Sequence, residues 1–299
     1  MKNTRPPLLK KGDKVAIIAP ARKITNEEIA YTINFIKSFE LVPIFGANLF
    51  ASCNQFAGSD ENRIQDLQWA LDNPELKAVI SARGGYGCMR IIDQINLTEL
   101  IKSPKWCIGF SDFTVVLNHF CRNAKLQCLH AQMPINFELY KESAKRIFDF
   151  LLQGSIFYNV KSLHSINPVK VSGELIGGNL SLLYALQGSL SEPDYINKIL
   201  FLEDLDEYLY HIDRMLLSMK RAGKFSKLRA IVIGGFTQIK DNSIPFGKTI
   251  NQIITEHFSE YQIPVFFDFP AGHIENNFPI IIGGQCEITP SMEGYIFKQ

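Results

Sequence analysis

The 299-residue chain is 46% hydrophobic and 20% charged, ordinary globular proportions with length enough for two domains. Its 31 basic and 30 acidic side chains leave a net charge of +1, which gives no electrostatic footing for nucleic acid or an anionic membrane surface as a partner. No run approaches the roughly 20 apolar residues of a membrane span. The basic start MKNTRPPLLKKGDK has no signal-peptide core behind it, so a cytoplasmic location is expected.

In chain order, KVAIIAP (14–20) reads as a first strand, and the helical segment after it opens with Thr25 and Glu28 at capping-box spacing. LVPIFG (41–46) is a second strand, and DENRIQDLQWALDNP (60–74) is a helix ended by Pro74. LKAVISAR (76–83), KWCIGF (105–110) and LQCLHA (126–131) are three further strands, with helical spacing resuming after Ser111. Such alternation predicts an α/β fold with a doubly wound, mainly parallel sheet. LLQGSIFYNVKSLHSINPVKVSG interrupts it and reads as a crossing between domains. Beyond it, the strand-like runs KILFLED, RAIVIGGF, IPVFFDF, FPIIIGGQCEITP and GYIFKQ alternate with helical patterns, including one near 247–259. They predict a smaller mixed α/β unit. The expected division is 1–150 for the N-terminal domain that carries Ser111, 151–172 for the linker and 173–299 for the C-terminal domain.

The six cysteines, Cys53, Cys88, Cys107, Cys121, Cys128 and Cys286, form no C-x-x-C pair. Reduced thiols are expected rather than a zinc site or a disulfide framework.

In a doubly wound sheet, ligands bind beyond the carboxyl ends of the strands, so the residues there carry the functional reading. Ser111 stands between the run KWCIGF and the helical TVVLNHF, where a hydroxyl is exposed beside free helix N–H groups. The same position suits a plain N-cap. Gly109 fits the first glycine of a G-x-S-x-G elbow, but Phe113 replaces the second, which speaks against an α/β-hydrolase elbow. Of six histidines, His273 differs in lying on the Pro- and Gly-containing loop DFPAGHIENNFP. Glu203 ends the apolar run ILFL, before a segment rich in acids. SARGGYGCMRIID fails as a dinucleotide fingerprint because Arg90 occupies the third glycine position, yet its turn lets backbone N–H groups approach a ligand. Gly177-Gly178-Asn179 opens a helix, either to bind a carboxylate or as a tight turn.

Taken together and in order, RGGYG, IGFSD, GGNLS, FLEDLDEYLYHIDRML and FPAGH resemble the LD-carboxypeptidase family of serine peptidases, over nearly the whole chain. That family includes cytoplasmic muramoyl-tetrapeptide carboxypeptidases and microcin C self-immunity peptidases. The resemblance implies Ser111 as nucleophile, His273 as general base and then acid, and Glu203 as the group that holds the imidazole. It also implies an oxyanion hole formed by the backbone N–H groups of Gly85 and Asp112. The implied substrate is a murein tetrapeptide, cut at the L,D amide bond to release D-alanine. Arg83, Tyr86 and Asn179 are expected substrate contacts, with Arg83 equally suited to an internal salt bridge. No metal or cofactor is expected, and the resemblance implies a homodimer. One alternative is a peptidase that inactivates a peptide–nucleotide antibiotic, a specificity that by resemblance uses a longer aromatic-bearing loop. Here the connection from MPINFELYKESAKRIF to VKVSG is short and lacks tryptophan, which favours the muropeptide. A non-catalytic small-ligand-binding protein is the alternative of another class.

Overall fold

In the computed structural model, which describes residues 2–162, 164–165 and 168–299, the strands in chain order are β1 (Lys14–Ile18), β2 (Val42–Phe45), β3 (Leu76–Ser81), β4 (Trp106–Gly109), β5 (Cys128–His130), β6 (Phe157–Lys161), β7 (Val171–Asn179), β8 (Lys198–Leu205), β9 (Ala230–Thr237), β10 (Val265–Phe266), β11 (Ile280–Ile282), β12 (Gln285–Ser291) and β13 (Gly294–Lys298). Residues 163, 166 and 167 of the expected linker lie outside the described residues.

The first sheet has the order β11-β5-β4-β3-β1-β2, with β1 to β5 parallel and β11 antiparallel at the edge. After β2 the chain returns across β1 to lay down β3, so the order reverses between β1 and β3. Crevices form at such a reversal, outside the carboxyl ends of the strands. The expected capping box is present: Thr25 Oγ1 accepts from the Glu28 N–H, and Glu28 Oε2 accepts from the Thr25 N–H.

The second sheet runs β10-β9-β8-β7-β12-β13-β6. Strands β7 to β10 are parallel, and β12, β13 and β6 add an antiparallel half. Within 151–172, where a crossing between domains is expected, the helix Lys141–Gln153 finishes, β6 follows and β7 begins. The residues of β6 alternate exposed and buried, with Tyr158 and Val160 inward, the pattern of an edge strand with one wet face. Its Asn159 and Lys161 make the segment look like loop in sequence. β11 returns from the C-terminal part of the chain to pair with β5, Ile280 opposite His130.

Side-chain parity divides the second sheet between two cores. Leu175, Ile199, Phe201, Ala230 and Val232 face the large core that continues into the first sheet. Their neighbours Ile176, Leu200, Leu202, Ile231 and Ile233 face a second core under the helices Leu209–Arg221 and Ile250–Phe258. By the two-residue period of a strand, Glu203 falls on the same side as Phe201. That side is turned toward the first sheet.

Candidate active site

β4 ends at Gly109, and Ser111 takes φ +59°, a left-handed backbone rare for a residue with a side chain. A single-turn helix at Ser111–Phe113 leads directly into the helix Thr114–Asn123. The missing second glycine of the elbow does not prevent the turn. A Cβ on Gly109 would lie 2.7 Å from the Phe113 ring, so the bare glycine admits the aromatic side chain that stands in the second position. The strained conformation costs of order 1–3 kcal/mol, and the fully buried Phe113 helps to hold it.

The glycine loop after β3 lies against this elbow. A Cβ on Gly84 would meet Ser111 Cβ and Oγ at 2.9 Å, and Gly85, exposed at φ +116°, continues the loop. Asp112 ties the two together: its Oδ2 accepts from the Cys88 N–H at 2.8 Å, a contact that sequence reasoning missed. Burial pushes the Asp112 carboxyl above its ordinary pKa, against the opposing effect of that backbone hydrogen bond. Arg63, itself buried, donates to the carbonyls of Pro20 (2.8 Å) and Gly87 (2.9 Å), bracing the ends of β1 and β3 against each other. Among the described residues, the N–H groups of Gly85 and Asp112 have no acceptor within the protein.

The carboxylate and imidazole come from the other sheet. Glu203 is fully buried near the end of β8, and its Oε2 accepts from His273 Nδ1 at 2.6 Å and from the His273 backbone N–H at 3.2 Å. The His273 loop is fixed from beneath by a bridge between Gly235 and Gly272 and by Thr237 Oγ1, which donates to the His273 carbonyl at 2.9 Å. Burial favours the neutral forms of both groups. Against it, the His273 charge and hydrogen bond bring Glu203 below its ordinary pKa of 4.5, and the Glu203 charge and hydrogen bond lift His273 above 6.5. With Nδ1 directed at the carboxylate, Nε2 is left as the acceptor.

The Phe110 ring lies 4.7 Å from the His273 ring, so the residue before Ser111 touches the imidazole across the sheet interface. No hydrogen bond joins Ser111 Oγ to His273, whose ring nitrogen Nδ1 is bonded to Glu203; catalytic hydrogen bonds are commonly long outside the Michaelis complex. Behind the pair, His130 is buried between Phe110 and Phe201 and close to Glu203, and burial pushes its pKa down to about 4. It is a neutral neighbour of the carboxylate at neutral pH.

The other expected contacts fall differently. Asn179 is buried, its Oδ1 capping the helix Leu180–Ala185 through the Leu182 N–H and its Nδ2 donating to Asp204 at 2.9 Å. Asp204 also accepts from the Ser181 and Leu205 N–H groups; burial and the adjacent Glu203 charge push its pKa up to about 7. Arg83 donates to the Lys23 carbonyl at 3.1 Å and pairs with Glu28 at 3.5 Å. Tyr86 is exposed at the loop tip, its ring 6.0 Å from Phe56. A hydroxyl on a strained turn, two unoccupied N–H groups and a carboxylate-held imidazole together make the parts of an acyl-transfer site.

Comparison with known proteins gives the same direction. The model of the LD-carboxypeptidase N-terminal domain matches residues 15–131, and that of the C-terminal domain matches residues 172–288. A Bacillus subtilis protein named as a probable murein peptide carboxypeptidase is 31% identical over 297 residues, covering 96% of this chain and 92% of that one. The crystal structure of muramoyltetrapeptide carboxypeptidase from Oxalobacter formigenes superposes with a TM-score of 0.87 at 27% identity, covering 95% of this chain and 98% of that one. The microcin C7 self immunity protein in its wild-type apo state, 20% identical, shares the fold with a TM-score of 0.88 over 98% of this chain and 97% of its own.

Proposed function

Because the chain belongs to the LD-carboxypeptidase family, we propose that it is a serine carboxypeptidase that hydrolyses the L,D amide bond of murein tetrapeptides and releases the terminal D-alanine. The observation that carries this reading is the 2.6 Å contact between His273 Nδ1 and the buried Glu203, facing an elbow that holds Ser111 at positive φ.

The chemistry follows from those positions. Ser111 Oγ attacks the amide carbonyl carbon as its proton passes to His273 Nε2, and Glu203 stabilises the imidazolium that forms. The Gly85 and Asp112 N–H groups receive the charge that develops on the carbonyl oxygen. His273 returns the proton to the leaving amine, the C–N bond breaks and D-alanine departs. Water, deprotonated by the same imidazole, then attacks the acyl-enzyme, and Ser111 recovers its proton. Asp112 serves twice, its N–H for the oxyanion and its carboxylate for the loop that presents Gly85.

The reading places the enzyme in the cytoplasm, where it acts on recycled wall fragments as a homodimer. No helix among the described residues is long and apolar enough to cross a membrane. The family matches leave residues 132–171 between them, which supports 151–172 as the join between domains 1–150 and 173–299. A peptide–nucleotide antibiotic is the competing substrate. Both tryptophans, Trp69 and Trp106, lie outside the connection from MPINFELYKESAKRIF to VKVSG, which leaves that stretch without an indole to stack on a base. The test offers purified protein a tetrapeptide ending in D-alanine, its epimer ending in L-alanine, and an aminoacyl-nucleotide. Release of alanine from the D-epimer alone is expected; cleavage confined to the nucleotide conjugate, or of neither alanine peptide, overturns the reading.

A further inference from the structure

A peptidase that removes one terminal residue must recognise the free carboxylate of that residue, and a guanidinium is the group best shaped to do so. Four arginines surround the junction of β1, β3 and the glycine loop, and three are already occupied. Arg63 is buried and spends its fork on the Pro20 and Gly87 carbonyls and on Asp60. Arg90 grips both oxygens of Asp60 at 2.7–3.0 Å. Arg83, the sequence candidate, is held by the Lys23 carbonyl and Glu28.

Arg22 is the fourth. Its side chain is exposed and has no hydrogen bond or ion pair among the described residues. Its stem is nonetheless placed: a Cβ on Gly85 would meet Arg22 Cβ at 2.8 Å, Cδ at 3.2 Å and Cγ at 3.5 Å. Its backbone is placed as well, by a bridge to Phe56 and by the flanking bonds from Lys23 N–H to the Gln55 carbonyl (3.0 Å) and from Ala57 N–H to the Ala21 carbonyl (3.1 Å). Gly84 touches Ser111 and Gly85 touches Arg22, so one dipeptide of the loop, about 3.8 Å between its Cα atoms, connects nucleophile and cation.

We propose that Arg22 binds the terminal carboxylate of the substrate and so confines cleavage to the last peptide bond, an inference that rests on the carboxypeptidase reading above. The anchored stem limits the motion that binding must freeze, while the fork is free to take both carboxylate oxygens. Arg83, nearby, is already engaged by Glu28 and the Lys23 carbonyl.

The test compares a tetrapeptide ending in D-alanine with the same peptide ending in D-alaninamide. Wild type is expected to prefer the acid. In Arg22→Gln the kcat/KM for the acid falls about 10- to 100-fold, chiefly through KM, and the acid-to-amide ratio collapses toward one. Arg22→Lys recovers part of the ratio, and an unchanged thermal unfolding midpoint shows that the fold is intact. An Arg22→Gln enzyme that releases D-alanine with the wild-type ratio overturns the assignment and leaves the carboxypeptidase reading standing. A wild-type enzyme that cleaves neither peptide brings both down.

Discussion

Replacing Glu203 by glutamine separates charge from geometry in the proposed triad. Oε2 accepts two hydrogen bonds, one from the His273 ring and one from its backbone N–H at 3.2 Å. The backbone donor cannot reverse its polarity, so in Glu203→Gln it holds the amide oxygen in the Oε2 position. The imidazole then keeps its tautomer and orientation and loses only its counter-charge. A hydrogen bond to a charged group contributes ~1.5–3 kcal/mol, and ~1.4 kcal/mol is a factor of ten in rate. The expected fall in kcat is therefore roughly 10- to 150-fold. Glu203→Ala, which removes orientation as well, is expected to fall further, toward the ~3 × 10⁴-fold loss seen when a triad's acid is removed. The pH profile reports the same change independently. In wild type the carboxylate lifts His273 above 6.5 against the opposing effect of burial. With that charge gone, burial is opposed chiefly by the more distant Asp204, and the acidic limb of kcat/KM moves to lower pH. Steady-state release of D-alanine across roughly pH 5 to 9 measures both quantities. A Glu203→Gln enzyme with the wild-type kcat and an unmoved acidic limb refutes the assignment of Glu203.

Other outcomes follow from the same contacts. Ser111→Gly and Ser111→Ala both abolish turnover, but only glycine relieves φ +59°; the glycine variant is expected to be more stable than the alanine one by about 1 kcal/mol, measured by urea denaturation. The His273–Glu203 pair stabilises the fold within a window. His273, raised above 6.5, contributes fully below that pH and loses its contribution as pH rises through its folded pKa; Glu203, lowered below 4.5, contributes fully above that pH and loses its contribution as pH falls through its folded pKa. Stability lost on His273→Gln is thus greatest between those two values and fades in alkali, where wild-type activity, which needs the neutral imidazole, is highest. Asp112→Ala deprives the Cys88 N–H of its carboxylate partner; it is expected to lower kcat by about tenfold to a hundredfold, with faster amide exchange across 84–88. By nitrogen-15 NMR, His130 is expected to remain neutral down to a pH near 4.

Much of the site is legible in the sequence as position and little of it as contact. Glu203 stands out because four apolar residues precede it, and strand parity from Phe201 gives the face it occupies. Its partner lies 70 residues away on a loop, and only the packing of one sheet against the other joins them. The elbow is obscured because Phe113 occupies the place of a glycine; that Gly109 makes room for its ring is a fact of three-dimensional packing. Asp112 and Cys88 are 24 residues apart with no pattern linking them. Four arginines near one loop look alike in sequence, and which of them is spent on Asp60, on Glu28 or on carbonyls is decided by geometry alone. Asn179 reads as a ligand group beside two glycines, whereas folding commits its amide to a helix start and to Asp204.

The central claim is that the Ser111 hydroxyl carries the acyl group. Mass spectrometry of a tetrapeptide digest by wild type and by Ser111→Ala, each with and without EDTA, tests it most directly. Tripeptide and D-alanine are expected from wild type with or without the chelator, and intact tetrapeptide from the variant. D-alanine released by the Ser111→Ala enzyme at a wild-type rate would contradict it.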